Sequence, residues 1–272
     1  MKRRFRIYYP FVNAGMQQVT TYRVDWIFYL LGNVVHSLVS FFIWQAVFLS
    51  GSEETLNGFT MPQMIVYFFL IFISDTMITS DASMMIAEEV RDGSIAMRML
   101  RPVGYNATFL FFELGGKLLT QIVLIVPVVI GVEISRFVLS GVVQFSVLNL
   151  LLFFVSTILA YLINLFFSIC FGFLAFVIKH IWGTNIMKNC IVSFCSGAMV
   201  PLSFMPDALK TVFMLLPFAS LNYTPVMIYM GVYQGADLLF YFGLQIFWAL
   251  FFWALSKLLA MVSAKHLTVQ GG

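Results

Sequence analysis

The stretch WIFYLLGNVVHSLVSFFIWQAVFL, residues Trp26 to Leu49, contains 24 residues and no Asp, Glu, Lys or Arg. As an α-helix it would be about 36 Å long, which is enough to cross a hydrocarbon core of about 30 Å. An apolar run of this length without charged residues is typical of a helix that spans a membrane. The stretch therefore predicts a membrane-spanning helix.

The composition extends this prediction to the whole chain. Of its 272 residues, 61% are hydrophobic and 10% are charged, whereas soluble domains contain about 25% charged residues. We therefore expect an all-α integral membrane protein. The net charge of +3 is too small to indicate nucleic-acid binding. The three cysteines show no metal-ligand spacing, so no metal site is expected.

Six spans are predicted, with an amphipathic helix over residues 1–24 lying on the inner membrane surface before them. A polar turn, Lys179–Lys188, separates the fourth span from the fifth. The predicted spans are Trp26–Leu49, Pro62–Met84, Ala107–Ile134, part of Val142–Ile178, Asn189–Leu202 and Leu238–Val262.

The distribution of positive charge orients these spans. With the N-terminus inside, thirteen of the fifteen Lys and Arg residues lie in cytoplasmic segments or at inner span ends. Only Arg136 and Lys210 remain on the outer side. This asymmetry follows the positive-inside rule and predicts that both termini are cytoplasmic.

Residues 201–235 are apolar but interrupted by four prolines. Pro206 and Asp207 predict a helix N-terminus with Asp207 as the N-cap, and Pro217 predicts the end of that helix. Together with Pro201, these residues indicate a re-entrant hairpin on the outer side, because broken backbone at membrane depth must be buried in protein. A single crossing would give seven spans, which the basic residues after the last span argue against.

Residues 85–102 form the most charged internal segment, and it lies on the predicted cytoplasmic side. Gly93 interrupts its helical pattern and Pro102 ends it. The mixture of charges with an apolar edge suits docking into a groove of a cytosolic partner, while the plainer interpretation is an ordinary charged loop. The charged residues are Glu88, Glu89, Arg91, Asp92, Arg98 and Arg101.

Polar residues inside the spans are the remaining candidates for function. Asp75, followed by Thr79 and Asp81, either lines a cavity or gate or serves as a structural hydrogen-bonding group. Glu113 and Lys117 are four residues apart and are expected to pair on one helix face. The sequence contains no phosphate-binding loop and no hydrolase or zinc-protease motif, so the chain is not expected to be an enzyme.

Two stretches resemble one known family. GSIAMRMLRPVGY, Gly93 to Tyr105, resembles the cytoplasmic segment of bacterial ABC exporter permeases. SGAMVPLSFMPDALKTVFMLLPFASLNYTPVMIYMG, Ser196 to Gly231, resembles the outer segment before the last span of these permeases. The order of elements also agrees, so the resemblance to the ABC-2 transporter family covers essentially the whole chain.

The resemblance implies that residues 1–272 form one transmembrane permease domain in the bacterial cytoplasmic membrane. ATP and Mg would bind to two copies of a separate cytosolic ABC ATPase, and a second permease, identical or homologous, would complete the transporter. Gly93 and the six charged residues around it would contact the ATPase. Lipid, drug, peptide and polysaccharide all remain open as cargo.

Two other functions remain open from the sequence. An ion-coupled secondary transporter usually has broken helices in both halves of the chain, whereas here only one half has a long break. A membrane scaffold or assembly factor without transport activity would need no ATPase partner.

Overall fold

The computed structural model describes residues 2–50, 55–140, 146–178 and 180–265. These residues form eleven α-helices, with a small antiparallel hairpin of β1 (Thr55–Leu56) and β2 (Phe59–Thr60) before α3. The helices are α1 Lys2–Thr21, α2 Arg23–Ser50, α3 Met61–Ile78, α4 Ala82–Asp92, α5 Ile95–Met99, α6 Tyr105–Ser140, α7 Val147–Gly172, α8 Trp182–Cys195, α9 Asp207–Leu215, α10 Tyr223–Tyr229 and α11 Gly235–Lys265.

Within the described residues, four helical stretches are long and apolar enough to cross a membrane. They are Arg23–Ser50, Met61–Asp92, Val147–Phe176 and Gly235–Ala264. An all-α multi-pass membrane protein is therefore confirmed. The predicted third and fifth spans correspond to α6 and α8, which are not among the four. With 14 residues, α8 is about 21 Å long and shorter than a typical hydrocarbon core.

The prediction of a polar turn over Lys179–Lys188 is wrong for most of that segment. The helix α8 begins at Trp182, seven residues before the predicted start of the fifth span. Lys188 belongs to this helix, and its polar side chain does not indicate a loop. Its side chain is buried, its ammonium lies over the Phe171 ring, and it donates a hydrogen bond to Ser168.

The helix α7 is at the centre of the bundle and contacts α3, α4, α10 and α11. Buried apolar side chains form two clusters along it. One contains Tyr67 and Phe153 near the β-hairpin end, and the other contains Ile86 and Phe109 near the end that holds α4 and α5. By contrast, α2 is peripheral, and its main contact is with α3.

The predicted interfacial segment 1–24 contains the continuous helix α1, which packs lengthwise on the first half of α6. The Tyr8 ring stacks on Phe111 at 4.7 Å, and its hydroxyl accepts a hydrogen bond from the backbone N–H of Gly104 at 3.3 Å. Trp26 at the start of α2 donates to Thr120 of α6 at 2.9 Å. The N-terminal part of the chain is thus attached to α6.

The segment from Pro201 to Gly235 contains short helices joined by irregular backbone. Asp207 is the first residue of α9, and Pro206, whose side chain cannot accept a hydrogen bond, occupies the N-cap position. The prediction of Asp207 as the N-cap is therefore wrong by one position. The helix ends at Leu215, before the buried Pro217.

After α9 the backbone turns into the bundle. The carbonyl oxygen of Leu221 accepts a hydrogen bond from Ser74 at 3.4 Å, and that of Ser220 accepts one from Gln245 at 2.8 Å. Ser74 lies about 20 Å along α3 from its first residue. Irregular backbone therefore reaches deep into the bundle, and side chains of α3 and α11 satisfy its carbonyl groups.

Candidate functional site

The segment between α3 and α6 forms a compact helix–turn–helix at one end of the bundle. The helix α4 ends at Asp92, and Gly93 has a left-handed backbone with φ +77°. Glycine adopts this conformation without steric cost and is the usual residue at a helix C-terminus. Gly93 therefore sets the angle at which α5 leaves α4.

Two buried isoleucines hold this segment to the bundle. Ile86 of α4 and Ile95 of α5 are both almost fully buried. At Gly172 of α7 a methyl group would lie 2.9 Å from the Cβ of Ile86, so the two helices touch closely there. The segment is thus packed against α7 and does not project freely from it.

Arg98 and Glu89, two of the predicted coupling residues, face inward. They form an ion pair between α5 and α4 in which both side chains are mostly buried. The Arg98 guanidinium also donates to the Thr108 hydroxyl at 3.0 Å and lies 4.3 Å from the centre of the Phe109 ring. Arg98 therefore fixes α5 to α4 and α6.

The other predicted coupling residues are exposed. Two apolar side chains of the same segment are exposed as well: Met97 is 68% exposed and Leu100 is 80% exposed. Hydrogen bonds from the Ser94 side chain and backbone N–H lower the pKa of the Asp92 carboxyl below its ordinary value of 3.8. The exposed predicted residues are Glu88, Arg91, Asp92, Gly93 and Arg101.

The break between α3 and α4, at Thr79–Asp81, is satisfied by charged side chains of α6. A carboxylate oxygen of Glu113 accepts hydrogen bonds from the Ser80 hydroxyl at 2.7 Å and from the backbone N–H of Asp81 at 3.1 Å. The ammonium of Lys117 donates to the carbonyl oxygen of Thr79. Both side chains therefore bind the break, and among the described residues they do not form the predicted ion pair.

Asp75 lies one helical turn before this break. It accepts a hydrogen bond from the Asn222 amide at 3.5 Å, and the same amide donates to Ser196 at 3.3 Å. Its carboxylate also lines a cavity together with Asn189 and Ser193 of α8. Asp75 is therefore both a cavity-lining residue and a contact to the buried irregular segment.

Thr79 and Asp81 line the same region. The Thr79 hydroxyl donates to the carbonyl oxygen of Asp75 at 2.7 Å, which ends α3 with a side-chain hydrogen bond. Asp81 is exposed. In the described part of the chain, no three His, Cys, Asp or Glu side chains are grouped closely enough to hold a metal ion.

Most of the chain matches one known protein family. The family described as ABC-2 family transporter protein matches residues 34–271, which is most of the chain. The chain belongs to the ABC-2 transporter family. The resemblance found in the sequence is thus confirmed. No curated protein matches the chain.

Membership of the ABC-2 family assigns the chain to the membrane component of an ABC transporter, which associates with ABC ATPase subunits. At the level of the family, this component is not catalytic. A multi-pass membrane protein with a transport role is the conclusion that the family and the four apolar helices support together.

Proposed function

We propose that the chain is the permease subunit of an ATP-driven exporter in the bacterial cytoplasmic membrane. Two permeases, identical or homologous, form the membrane unit, and two separate cytosolic ABC ATPase subunits bind ATP and Mg. In this proposal α6 and α8 complete six spans, both termini are cytoplasmic, and residues 201–235 form a re-entrant segment on the outer side.

The observation that carries this proposal is the α4–α5 segment. It leaves Met97 and Leu100 uncovered by the rest of the chain, in a segment that also exposes Arg91 and Arg101, while Ile86 and Ile95 are buried in the bundle. Exposed apolar side chains bordered by charge are typical of a protein–protein contact. A surface that is packed firmly against the helix bundle can transmit a movement of a bound ATPase to the membrane helices.

The contacts of α4 also connect this segment to the membrane helices α3 and α8. The helix α4 continues from α3 through the three-residue break, and the Ser83 hydroxyl of α4 donates to Asn185 of α8 at 2.8 Å. A displacement of α4 would therefore move α3 and α8 together. Closure of the ATPase dimer on ATP would bias the permease pair between inward-facing and outward-facing arrangements, and cargo would pass between the permeases along α3 and α8.

The docking surface is tested with the double variant Met97→Asp/Leu100→Asp. When it is co-expressed with the ABC ATPase that co-purifies with the unmodified chain, the variant is expected to lose co-purification of the ATPase and transport-coupled ATP hydrolysis, while its membrane insertion is unchanged. Val232→Asp is the matched control, because Val232 is an exposed apolar residue in the loop before α11. Normal coupled hydrolysis in the double variant would refute the docking assignment.

The orientation has its own test. A Met97→Cys variant with the natural cysteines replaced by serine is expected to react with a membrane-impermeant thiol reagent in inside-out vesicles and not in intact cells. Reaction in intact cells would place α5 outside and exclude contact with a cytosolic ATPase.

A further inference from the structure

Two adjoining cavities lie between α3 and α8, with α2 beside them. Their volumes are about 300 and 150 Å³, and both are lined by Asp75, Asn189 and Ser193. We refer to them together as the α3–α8 groove. The larger cavity alone is at the lower end of the size range of pockets that bind drug-sized molecules.

Acidic groups dominate the charge of the α3–α8 groove. Asp75 and Asp81 line it, and among the described residues neither lysine nor arginine does; His36 of α2 is the single basic lining residue. Lys117, a nearby cation, donates to the carbonyl oxygen of Thr79 and lines a different cavity. A groove lined by one sign of charge attracts ligands of the opposite sign.

His36 and Lys117 are the cationic neighbours of Asp75, but among the described residues neither lies within ion-pair distance of its carboxylate. Its hydrogen-bonding neighbour is the Asn222 amide, which is neutral. A carboxylate at this depth is costly unless it faces water or a counter-ion. The groove leaves room for such a counter-ion beside Asp75.

Apolar side chains also line the larger cavity. They are Phe68 and Phe72, which share the face of α3 that carries Asp75, and Met199. Aromatic rings attract organic cations through their faces, and they also accept the apolar part of an amphipathic molecule. The polar residues of α2 that complete the lining recur at helical spacing, at Asn33, His36 and Ser40.

We propose that the α3–α8 groove binds amphipathic organic cations, with Asp75 as the counter-ion and Phe68 and Phe72 as the aromatic contacts. This inference rests on the proposed exporter function and names its class of cargo. Neutral lipids would gain no charge attraction from Asp75 and Asp81, and anionic polysaccharides would be repelled by them.

Tetraphenylphosphonium and tetraphenylborate test the proposal, because the two ions have the same shape and opposite charge. For the full chain in lipid nanodiscs, equilibrium dialysis corrected with empty nanodiscs is expected to show saturable binding of the cation and none of the anion. Asp75→Asn is expected to weaken cation binding about tenfold, since a carboxylate–cation contact of ordinary strength is lost. Asp75→Glu should retain most of the binding.

Asp237→Asn is the control, because it removes an exposed carboxylate at the start of α11, away from the groove. It is expected to bind the cation like the unmodified chain. Equal binding of both ions, or unchanged binding by Asp75→Asn, would overturn the proposal.

Cys190 localises the binding. It is exposed and lines the groove, whereas Cys195 on the same helix is buried. Tetraphenylphosphonium is expected to slow alkylation of Cys190 several-fold, as measured on the isolated peptide by mass spectrometry, and tetraphenylborate to leave it unchanged. If Cys190 does not react at all, a second permease or lipid covers the groove. If Cys190 reacts equally fast with and without the cation, the cation binds elsewhere. Either result overturns the proposal.

These measurements require no ATPase. If the cation does not bind, the exporter proposal is therefore unaffected. If the Met97/Leu100 variant hydrolyses ATP normally, the docking assignment is refuted, and the measured cation binding is unaffected.

Discussion

Gly15 of α1 and Gly115 of α6 bring the two helix backbones into direct contact. A methyl group on Gly15 would lie 1.9 Å from the carbonyl oxygen of Phe112, and one on Gly115 would lie 2.0 Å from that of Val12. Small residues allow helices to approach this closely and gain backbone van der Waals contact. The contact is reciprocal, so it is the point of closest backbone approach within the lengthwise packing of α1 on α6.

Gly15→Ala is expected to separate α1 from α6. The added carbon meets a backbone atom that no side-chain rotation can move, and overpacking of this kind costs about 1–3 kcal/mol. That cost should exceed the gain of up to about 1 kcal/mol from alanine in a helix. Thermal unfolding of the detergent-purified protein should show a lower midpoint.

Gly32→Ala provides the matched control for this substitution. Gly32 lies inside α2, where a methyl group would meet no atom within 4 Å. Only the helix propensity then changes, so the midpoint should stay the same or rise. A midpoint for Gly15→Ala equal to that of Gly32→Ala would contradict the close crossing.

The sequence predicted α1 as a helix but not its attachment. The recurrence of apolar residues along the first 24 positions indicates an amphipathic helix, and Gly15 is on the predicted apolar face. A glycine in such a pattern does not reveal that its partner is another glycine one hundred residues later. Contacts between distant segments depend on packing that helical periodicity does not encode.

Removal of the Arg98 guanidinium should loosen the α4–α5 segment. Arg98→Met leaves the carboxylate of Glu89 mostly buried without its cation, at a cost of about 1–3 kcal/mol for an unsatisfied buried group. Amide hydrogen exchange in α4 and α5 is expected to accelerate. Arg98→Lys should rescue little, because lysine lacks the planar group that lies over Phe109 and donates to Thr108.

The double variant Glu89→Gln/Arg98→Met separates this effect from a loss of apolar packing. With the charge of Glu89 removed, part of the protection from exchange should return, so the two substitutions should not be additive. Additive effects would show that the ion pair contributes nothing to the segment.

The different roles of Arg98 and Arg101 show what the sequence could not supply for the candidate site. Sequence reasoning identified the segment and its interruption at Gly93, because glycine and charge are local signals. It grouped both arginines as partner contacts, yet Arg98 is turned inward and Arg101 is exposed. Which face of a short helix is covered depends on α6 and α7, and with only five residues α5 has too few turns to show a period.

The turn after α4 is expected to open at acidic pH. Because hydrogen bonds from Ser94 lower the pKa of Asp92, the turn is stabilised above the ordinary pKa of 3.8 and loses that contribution as the pH falls through the lowered value. Protection of the Ser94 amide, which donates to Asp92 at 2.8 Å, should be constant from pH 7 to about 5 and fall below about 3.8.

Asp92→Asn checks the origin of this pH dependence. The asparagine oxygen can still accept from the Ser94 amide but does not titrate in this range. Protection should persist without the acid step, whereas Asp92→Ala should lose it at every pH. An acid step that remains in Asp92→Asn would assign the titration to another group.

The buried irregular segment was predicted only in part. Its prolines are local signals, and they indicated a broken helix that must be protected from lipid. Its anchors were not visible in the sequence, because Tyr67, Ser74 and Gln245 occur in otherwise ordinary apolar helices. Gly197 lies in the stretch Ser196–Gly231 that resembles the family. The structure explains why this residue is a glycine, because its backbone is left-handed, with φ +80°.

The contact between Tyr67 and Gly197 should be the most sensitive anchor of that segment. The buried Tyr67 hydroxyl donates to the carbonyl oxygen of Gly197 at 2.6 Å. Tyr67→Phe leaves that oxygen without this donor at a cost of about 1–3 kcal/mol. Gly197→Ala should be worse, because alanine is strained at positive φ and its methyl group would lie 3.0 Å from the Tyr67 hydroxyl oxygen.

Both variants are expected to lower the thermal midpoint in detergent and to increase proteolysis between α8 and α10. Tyr9→Phe is the control, since Tyr9 is largely exposed on α1 and should tolerate the change. If the two variants of the anchor were as stable as Tyr9→Phe, the segment would be held by its apolar side chains alone. The left-handed glycine would then set only the direction of the chain after α8.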